Sequence, residues 1–173
     1  MLNGNILDTY PDNKKNVMVT WLITDNGPVK IVDKYGPSFY VYSSKEDLYT
    51  IGSMLRELSE VNHVNFTFEK TTLGLDKKKL VLQIFPKKLE SLRKISEIID
   101  SWGGYYRYQL FDVDTRLSTR YLQDKGVFFN ARVKWDGNKF ILDDEQWAID
   151  YETPRFKTTT LKIERKSKNK KTQ

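Results

Sequence analysis

Residues 38–68 read SFYVYSSKEDLYTIGSMLRELSEVNHVNFTF, and residues 80–111 read LVLQIFPKKLESLRKISEIIDSWGGYYRYQLF. Both runs follow one pattern. A β-branched and aromatic segment leads into a stretch with helical spacing, and a second extended segment follows. In the first run Ser38 to Ser43 is a strand and Ser44 an N-cap, with Asp47 three residues on in the capping-box position. Leu48, Ile51, Leu55 and Leu58 then recur at helical spacing, with Met54 beside them, and Val64, Phe66 and Phe68 alternate with polar residues. In the second run Leu80 to Phe85 is a strand. Pro86 precedes a helix whose apolar stripe is Leu89, Leu92, Ile95, Ile98 and Ile99. Gly103-Gly104 ends that helix as a left-handed cap, and Tyr105 to Phe111 is one further strand. A loop with Gly74 joins the two runs. The order strand, helix, strand, strand, helix, strand predicts an α+β chain with a split βαβ, ferredoxin-like module. Both helices then cover one sheet face and leave the other open to a partner or to more chain.

Outside this module the chain returns to strands. Residues 16–24 (NVMVTWLIT) are extended, Asp25-Asn26-Gly27-Pro28 is a turn, and Val29 to Asp33 returns as a hairpin. Downstream, Thr115 to Lys125 is a helix ended by Gly126. Val127 to Lys134 and Lys139 to Leu142 pair through an Asp136-Gly137 turn, and Thr158 to Ile163 is extended. The terminal strands are expected to form a smaller flanking sheet. The expected organisation is therefore 1–37 for the N-terminal strands, 38–111 for the module, 112–164 for a helix and strands, and 165–173 for a tail.

Composition excludes several chemistries. The 173 residues contain no cysteine, so disulfides, thiolate metal sites and cysteine nucleophiles are absent. The single histidine, His63, cannot build a histidine metal site alone, and it reads as a surface residue without a partner. No run approaches the roughly 18 apolar residues of a membrane span. The first twenty residues lack a signal-peptide layout. A cytoplasmic chain with no membrane partner, cofactor or metal is expected. The net charge of +6 is uneven: Arg165, Lys166, Lys168, Lys170 and Lys171 leave only +1 for the first 164 residues. Such a tail reads as a solvated end, as an arm for phosphates, or as the stump of a longer chain. The D-x-E pair Asp150-Tyr151-Glu152 has magnesium-ligand spacing, but Pro154 follows at once, and acidic loops beside Trp147 explain it as well. RNA recognition by the sheet calls for aromatics on the third strand, and Lys79 to Phe85 lacks the alternation. Phe66 and Phe68 read as core.

Arg120-Tyr121-Leu122-Gln123-Asp124-Lys125-Gly126 resembles the RYL-x-DKG segment in the N-terminal domain of archaeal family B DNA polymerases. Ile6-Leu7-Asp8 resembles the opening of that family, and Gly36-Pro37-Ser38-Phe39-Tyr40 its proline-aromatic strand. Leu73-Gly74 and Phe85-Pro86 fall at the family's spacing, and Asp150-Tyr151-Glu152-Thr153-Pro154 resembles the stretch leading to the exonuclease. The similarity runs from residue 6 to about residue 164.

The resemblance implies a non-catalytic domain that contacts single-stranded template DNA in replication or repair, with the other domains or subunits of a polymerase as partners. It also implies a uracil-sensing pocket formed by Tyr10, Pro37, Ser38, Pro86, Leu89, Thr115, Leu117 and Arg120. Ser38, Thr115 and Leu117 depart from the family's residues there, which implies a vestigial pocket. Lys162-Ile163-Glu164 stands where the family has D-I-E, and lysine cannot ligate magnesium. The chain alone is therefore expected to be no enzyme, and to be an isolated fragment or part of an exonuclease-deficient member. Cationic contacts to phosphate would come from the five tail residues. A protein-interaction module and an RNA-binding domain are the alternatives.

Overall fold

In strand β4 (Phe39–Tyr42) two aliphatic or phenyl side chains alternate with two tyrosines, so the strand has two unlike faces. Phe39 and Val41 are fully buried and join a core with Leu48, Ile51 and Leu55 of helix α1 (Lys45–Arg56). A computed structural model describes residues 1–69, 78–143 and 159–163. The expected cap starts α1: the Asp47 amide donates to Ser44 Oγ at 3.2 Å. Asp47, one methylene shorter than the usual glutamate, accepts from the Ser44 hydroxyl at 3.0 Å and takes Arg107 Nη2 at 2.7 Å. These bonds hold its carboxyl below the usual aspartate range, the Arg107 bond most of all.

Strands β5 (Val61–Glu69) and β6 (Lys79–Pro86) form an antiparallel pair. Helix α2 (Ser91–Ser101) buries Leu92, Ile95 and Ile99 against the α1 side of the sheet. With β7 (Gln109–Phe111) the four strands lie in the order β5-β6-β4-β7, all antiparallel, which is the ferredoxin-like arrangement. Lys94 of α2 donates to Glu60 just before β5, and that bond lowers the Glu60 carboxyl to about 2. Leu89 is no part of the α2 stripe. It precedes the helix and sits in a second core.

The strand expected over Tyr105 to Phe111 is shorter. Residues Gly104–Arg107 form a single helical turn, α3, and only Gln109–Phe111 pair with β4. The reason is the close return of the chain over Gly103. A Cβ there would lie 2.7 Å from Arg107 Cδ and 2.9 Å from Tyr108 Cε2. Gly103 thus serves close approach and not a left-handed cap, since helix α2 is followed by Trp102 in right-handed geometry.

The flanking sheet has five antiparallel strands against the module's four. They are β1 (Leu2–Asp12), β2 (Val17–Thr24), β3 (Gly27–Asp33), β8 (Arg132–Trp135) and β9 (Phe140–Leu142), in the order β3-β2-β1-β8-β9. Its size comes from β1, which runs for eleven residues and pairs with β2 along one edge and with β8 along the other. A bulge between Ile6 and Asp8 breaks the alternation of β1, so Gly4 and Ile6 face inward before it and Thr9 after it. Gly4 is required there, because a Cβ would stand 2.5 Å from the Ile23 carbonyl oxygen.

Helix α4 (Leu117–Asp124) lies between the two cores, and Leu117 packs on both. It ends in a Schellman motif. Gly126, at φ 69°, donates to Gln123 O at 2.9 Å, and Val127 donates to Leu122 O at 2.9 Å. That reversal packs Val127 beside Leu122 and keeps Val127 to Ala131 out of the strand expected there, so β8 begins at Arg132. The Asp136-Gly137 turn forms as expected: Asp136 accepts from the Asn138 and Lys139 amides at 2.8 and 2.9 Å. Residues 159–163 carry no strand. The Gly74 loop and the 150–154 segment lie outside the described residues.

Buried Tyr121 fixes α4 to the flanking sheet. Its hydroxyl donates to Asp33 at 3.0 Å, and Lys125 Nζ lies 2.6 Å from the same carboxylate. Tyr35 meets the Tyr121 ring edge-on at 5.2 Å and donates to Asp124 at 2.5 Å. Burial raises both phenols well above the ordinary value of 10.0. The folded chain thus keeps protons that the unfolded chain releases above pH 10, so this contribution is intact below 10 and falls as pH climbs past it. Tyr121→Phe should cost about 1 kcal/mol at neutral pH and make the alkaline loss of stability shallower. Urea melts at pH 7 and above pH 10 check both.

Candidate functional site

Two surfaces and one junction present groups able to bind a ligand. The junction holds several of the residues implied for a pocket. Pro37 and Pro86 are buried, and Pro86 closes β6 opposite Val61. Leu89 and Leu117 meet the same core as Tyr121. The Leu89 amide donates to Asn16 Oδ1 at 2.9 Å, and Asn16 Nδ2 donates to the Lys87 carbonyl at 3.3 Å. Asn16 holds φ 54°, a conformation its short amide tolerates, and it ties the β1–β2 turn to the start of the second helix segment.

Arg120 is buried, and its Nη1 donates to the Asp112 carbonyl at 2.9 Å. Asp112 itself has φ 64°, and its carboxylate lies 3.7 Å from Arg120 Nη2. The other implied residues lie elsewhere. Thr115 is exposed. Ser38 faces the open side of the module sheet, where its hydroxyl accepts from Gln83 Nε2 at 2.9 Å. Tyr10 stands on the outer face of the flanking sheet, with Trp21 Nε1 donating to its hydroxyl at 3.5 Å. Leu7 and Val32 are exposed on that sheet as well. The five tail cations lie outside the described residues, as do Trp147 and Glu164.

The side of the module sheet turned away from the helices, expected to be open to a partner or to more chain, carries rings that strand composition alone did not place there. With Phe39, Val41, Leu82 and Ile84 committed to the helices, Tyr40, Tyr42, Gln83 and Phe85 point the other way. Register places Phe111 beside Tyr40, Gln109 beside Tyr42, and His63, Asn65 and Thr67 beside Phe85, Gln83 and Val81. Tyr40 OH accepts from Gln83 Nε2 at 3.2 Å. His63 is exposed, but it has a partner: its ring lies parallel to Phe85 at 4.1 Å. Lys79 Nζ sits 4.5 Å from the centre of the Tyr42 ring. The available signal was the strict Phe-Tyr-Val-Tyr alternation of residues 39–42, which puts two phenols together on one face.

Among the described residues no three acidic or histidine side chains converge as metal ligands. Asp143 instead joins Lys134 at 2.5 Å and Arg132 at 4.0 Å.

No protein-family model matches the sequence, and no curated protein is significantly similar to it. Among solved structures, the fold is similar to the family B DNA polymerase of the hyperthermophilic archaeon Pyrobaculum calidifontis. The TM-score is 0.61 and the identity 24%, over 78% of this chain and 17% of that chain. The likeness is one of fold, and the chain corresponds to a small part of the polymerase's length.

The geometry assigns Arg120 a testable structural load. Arg120→Leu should destabilise the fold by about 1–3 kcal/mol by orphaning the Asp112 carbonyl. Thermal melts check this. An unchanged melting temperature with weakened binding to a DNA oligonucleotide would instead identify a phosphate ligand.

Proposed function

We propose that this chain is a non-catalytic domain of the family B DNA polymerase type that contacts single-stranded template. The observation that carries the reading is the fold likeness to a polymerase segment over 78% of the chain, and RYLQDKG at residues 120–126 supports it. Contact would be weak and tolerant of sequence, with bases stacking on aromatic rings and cations reaching phosphates. The tail residues Arg165, Lys166, Lys168, Lys170 and Lys171 supply such cations, and the remaining polymerase domains or subunits would be the protein partners.

A uracil-sensing pocket belongs to this proposal only in vestigial form. Uracil differs from thymine by one methyl group, and a methyl-sized distinction yields about 1–3 kcal/mol even in a well-shaped pocket. Here the Ser38 hydroxyl is engaged by Gln83, and Thr115 stands in solvent. A second reading, docking to polymerase subunits, draws on the exposed Leu7, Tyr10 and Val32 of the flanking sheet.

Fluorescence anisotropy with labelled single-stranded DNA across a salt series tests the reading. Binding should weaken steadily with salt. Removing residues 165–173 should make the slope of log K against log salt shallower by roughly 3.5 if all five cations meet phosphates. Absence of binding at low salt, with capture of polymerase subunits, would favour the docking reading. Paired oligonucleotides with and without one deoxyuracil should bind within a few-fold of each other.

A further inference from the structure

We propose that the open face of the four-stranded module sheet is a nucleobase-stacking platform for a single nucleic-acid strand, built from Tyr40, Tyr42 and the His63–Phe85 pair. The proposal rests on the single-strand reading above and adds where the strand lies.

Side-chain chemistry selects the occupant. Every described face position between the two ends of the sheet is a ring, an amide, a hydroxyl or the fully buried Val81. The described positions of this face present no exposed aliphatic side chain. Rings and amides suit bases, whose faces stack and whose edges accept and donate hydrogen bonds.

Charge points the same way. Lys79 lies against the Tyr42 ring at 4.5 Å, which places an ammonium beside a stacking surface where a phosphate would follow a stacked base. Exposed Lys78 precedes it. The one carboxylate at a described face position, Glu69, is at the rim opposite Lys79, so the centre holds no negative charge to repel a phosphate backbone.

The rings are also held in place. Tyr40 and Tyr42 stand two residues apart on the central strand β4, roughly 6.7 Å along it. Gln83 holds the Tyr40 hydroxyl, and the parallel arrangement of His63 and Phe85 fixes a second slab across β6. Pre-set rings lose little rotamer freedom when a base stacks on them.

The test uses the full chain, a labelled dT12 and a labelled rU12. Tyr42→Leu and His63→Ala should each weaken binding about ten-fold in at least one arm. The salt slope should stay unchanged, because no ion pair is lost. Lys79→Ala should make the slope shallower by about 0.7. The arm that responds identifies the strand as DNA or RNA. Melting temperatures within a few degrees of the parent's exclude unfolding, and Tyr42→Phe, which keeps the ring, should bind as the parent does. If the parent binds and Tyr42→Leu and His63→Ala bind equally well, the platform is wrong while the single-strand reading stands. If the parent binds neither oligonucleotide at low salt, both fail.

Discussion

The hydrogen bond from buried Tyr121 to Asp33 anchors the helix that packs on both cores of the molecule. Asp33 ends β3, at the edge of the flanking sheet, and Tyr121 lies on α4, whose first residue, Leu117, reaches the core of the module. Lys125 neutralises the same carboxylate, so a charge that would be costly beside a core is paired and hydrogen-bonded at once. The Asn16 bonds to Lys87 and Leu89 act at a second place, between the β1–β2 turn and the chain entering α2. Together these contacts tie the flanking sheet to helix α4 and to the chain entering α2.

Much of this was legible because it is local. Ser44 with Asp47 marks the start of α1, Gly126 marks the end of α4, and the apolar spacing from Leu48 to Leu55 specifies a helix without reference to anything distant. The failures occur where the deciding contact is remote in sequence. Strand β1 has no clean alternation because the bulge at Leu7 changes which residues face inward, and Gly4 is needed only because Ile23 crosses it. The α3 turn follows from the packing of Arg107 over Gly103. Tyr105 to Phe111, read alone, has the composition of a strand.

The candidate site divides in the same way. Leu89, Leu117 and Arg120 were implied by resemblance, and the structure places all three at the junction, where their visible contacts are those of a core. Tyr10 and Ser38 are on two different sheet faces. The aromatic face was hidden by a sound but incomplete test: the third strand lacks alternating aromatics, whereas the first strand carries two and the second contributes a stacked imidazole. Which rings share a face is a property of register, and register emerges only when four strands are aligned.

The flanking sheet joins strands that lie more than a hundred residues apart, with Leu2 to Asn5 of β1 paired to Trp135 through Arg132 of β8. The ferredoxin-like module is thus an insertion within a single sheet. During synthesis the module has all four of its strands once Phe111 has emerged, while β1 waits for an edge partner that is made later. Local contacts form before distant ones are rewarded, so the module is the natural first folding unit. The hairpin of β2 and β3 then guards one edge of β1 while the other stays open until β8 arrives. An eleven-residue strand with one unpaired edge is a template for wrong partners, and the short, charge-flanked β8 is what finally covers its Leu2 to Asn5 portion.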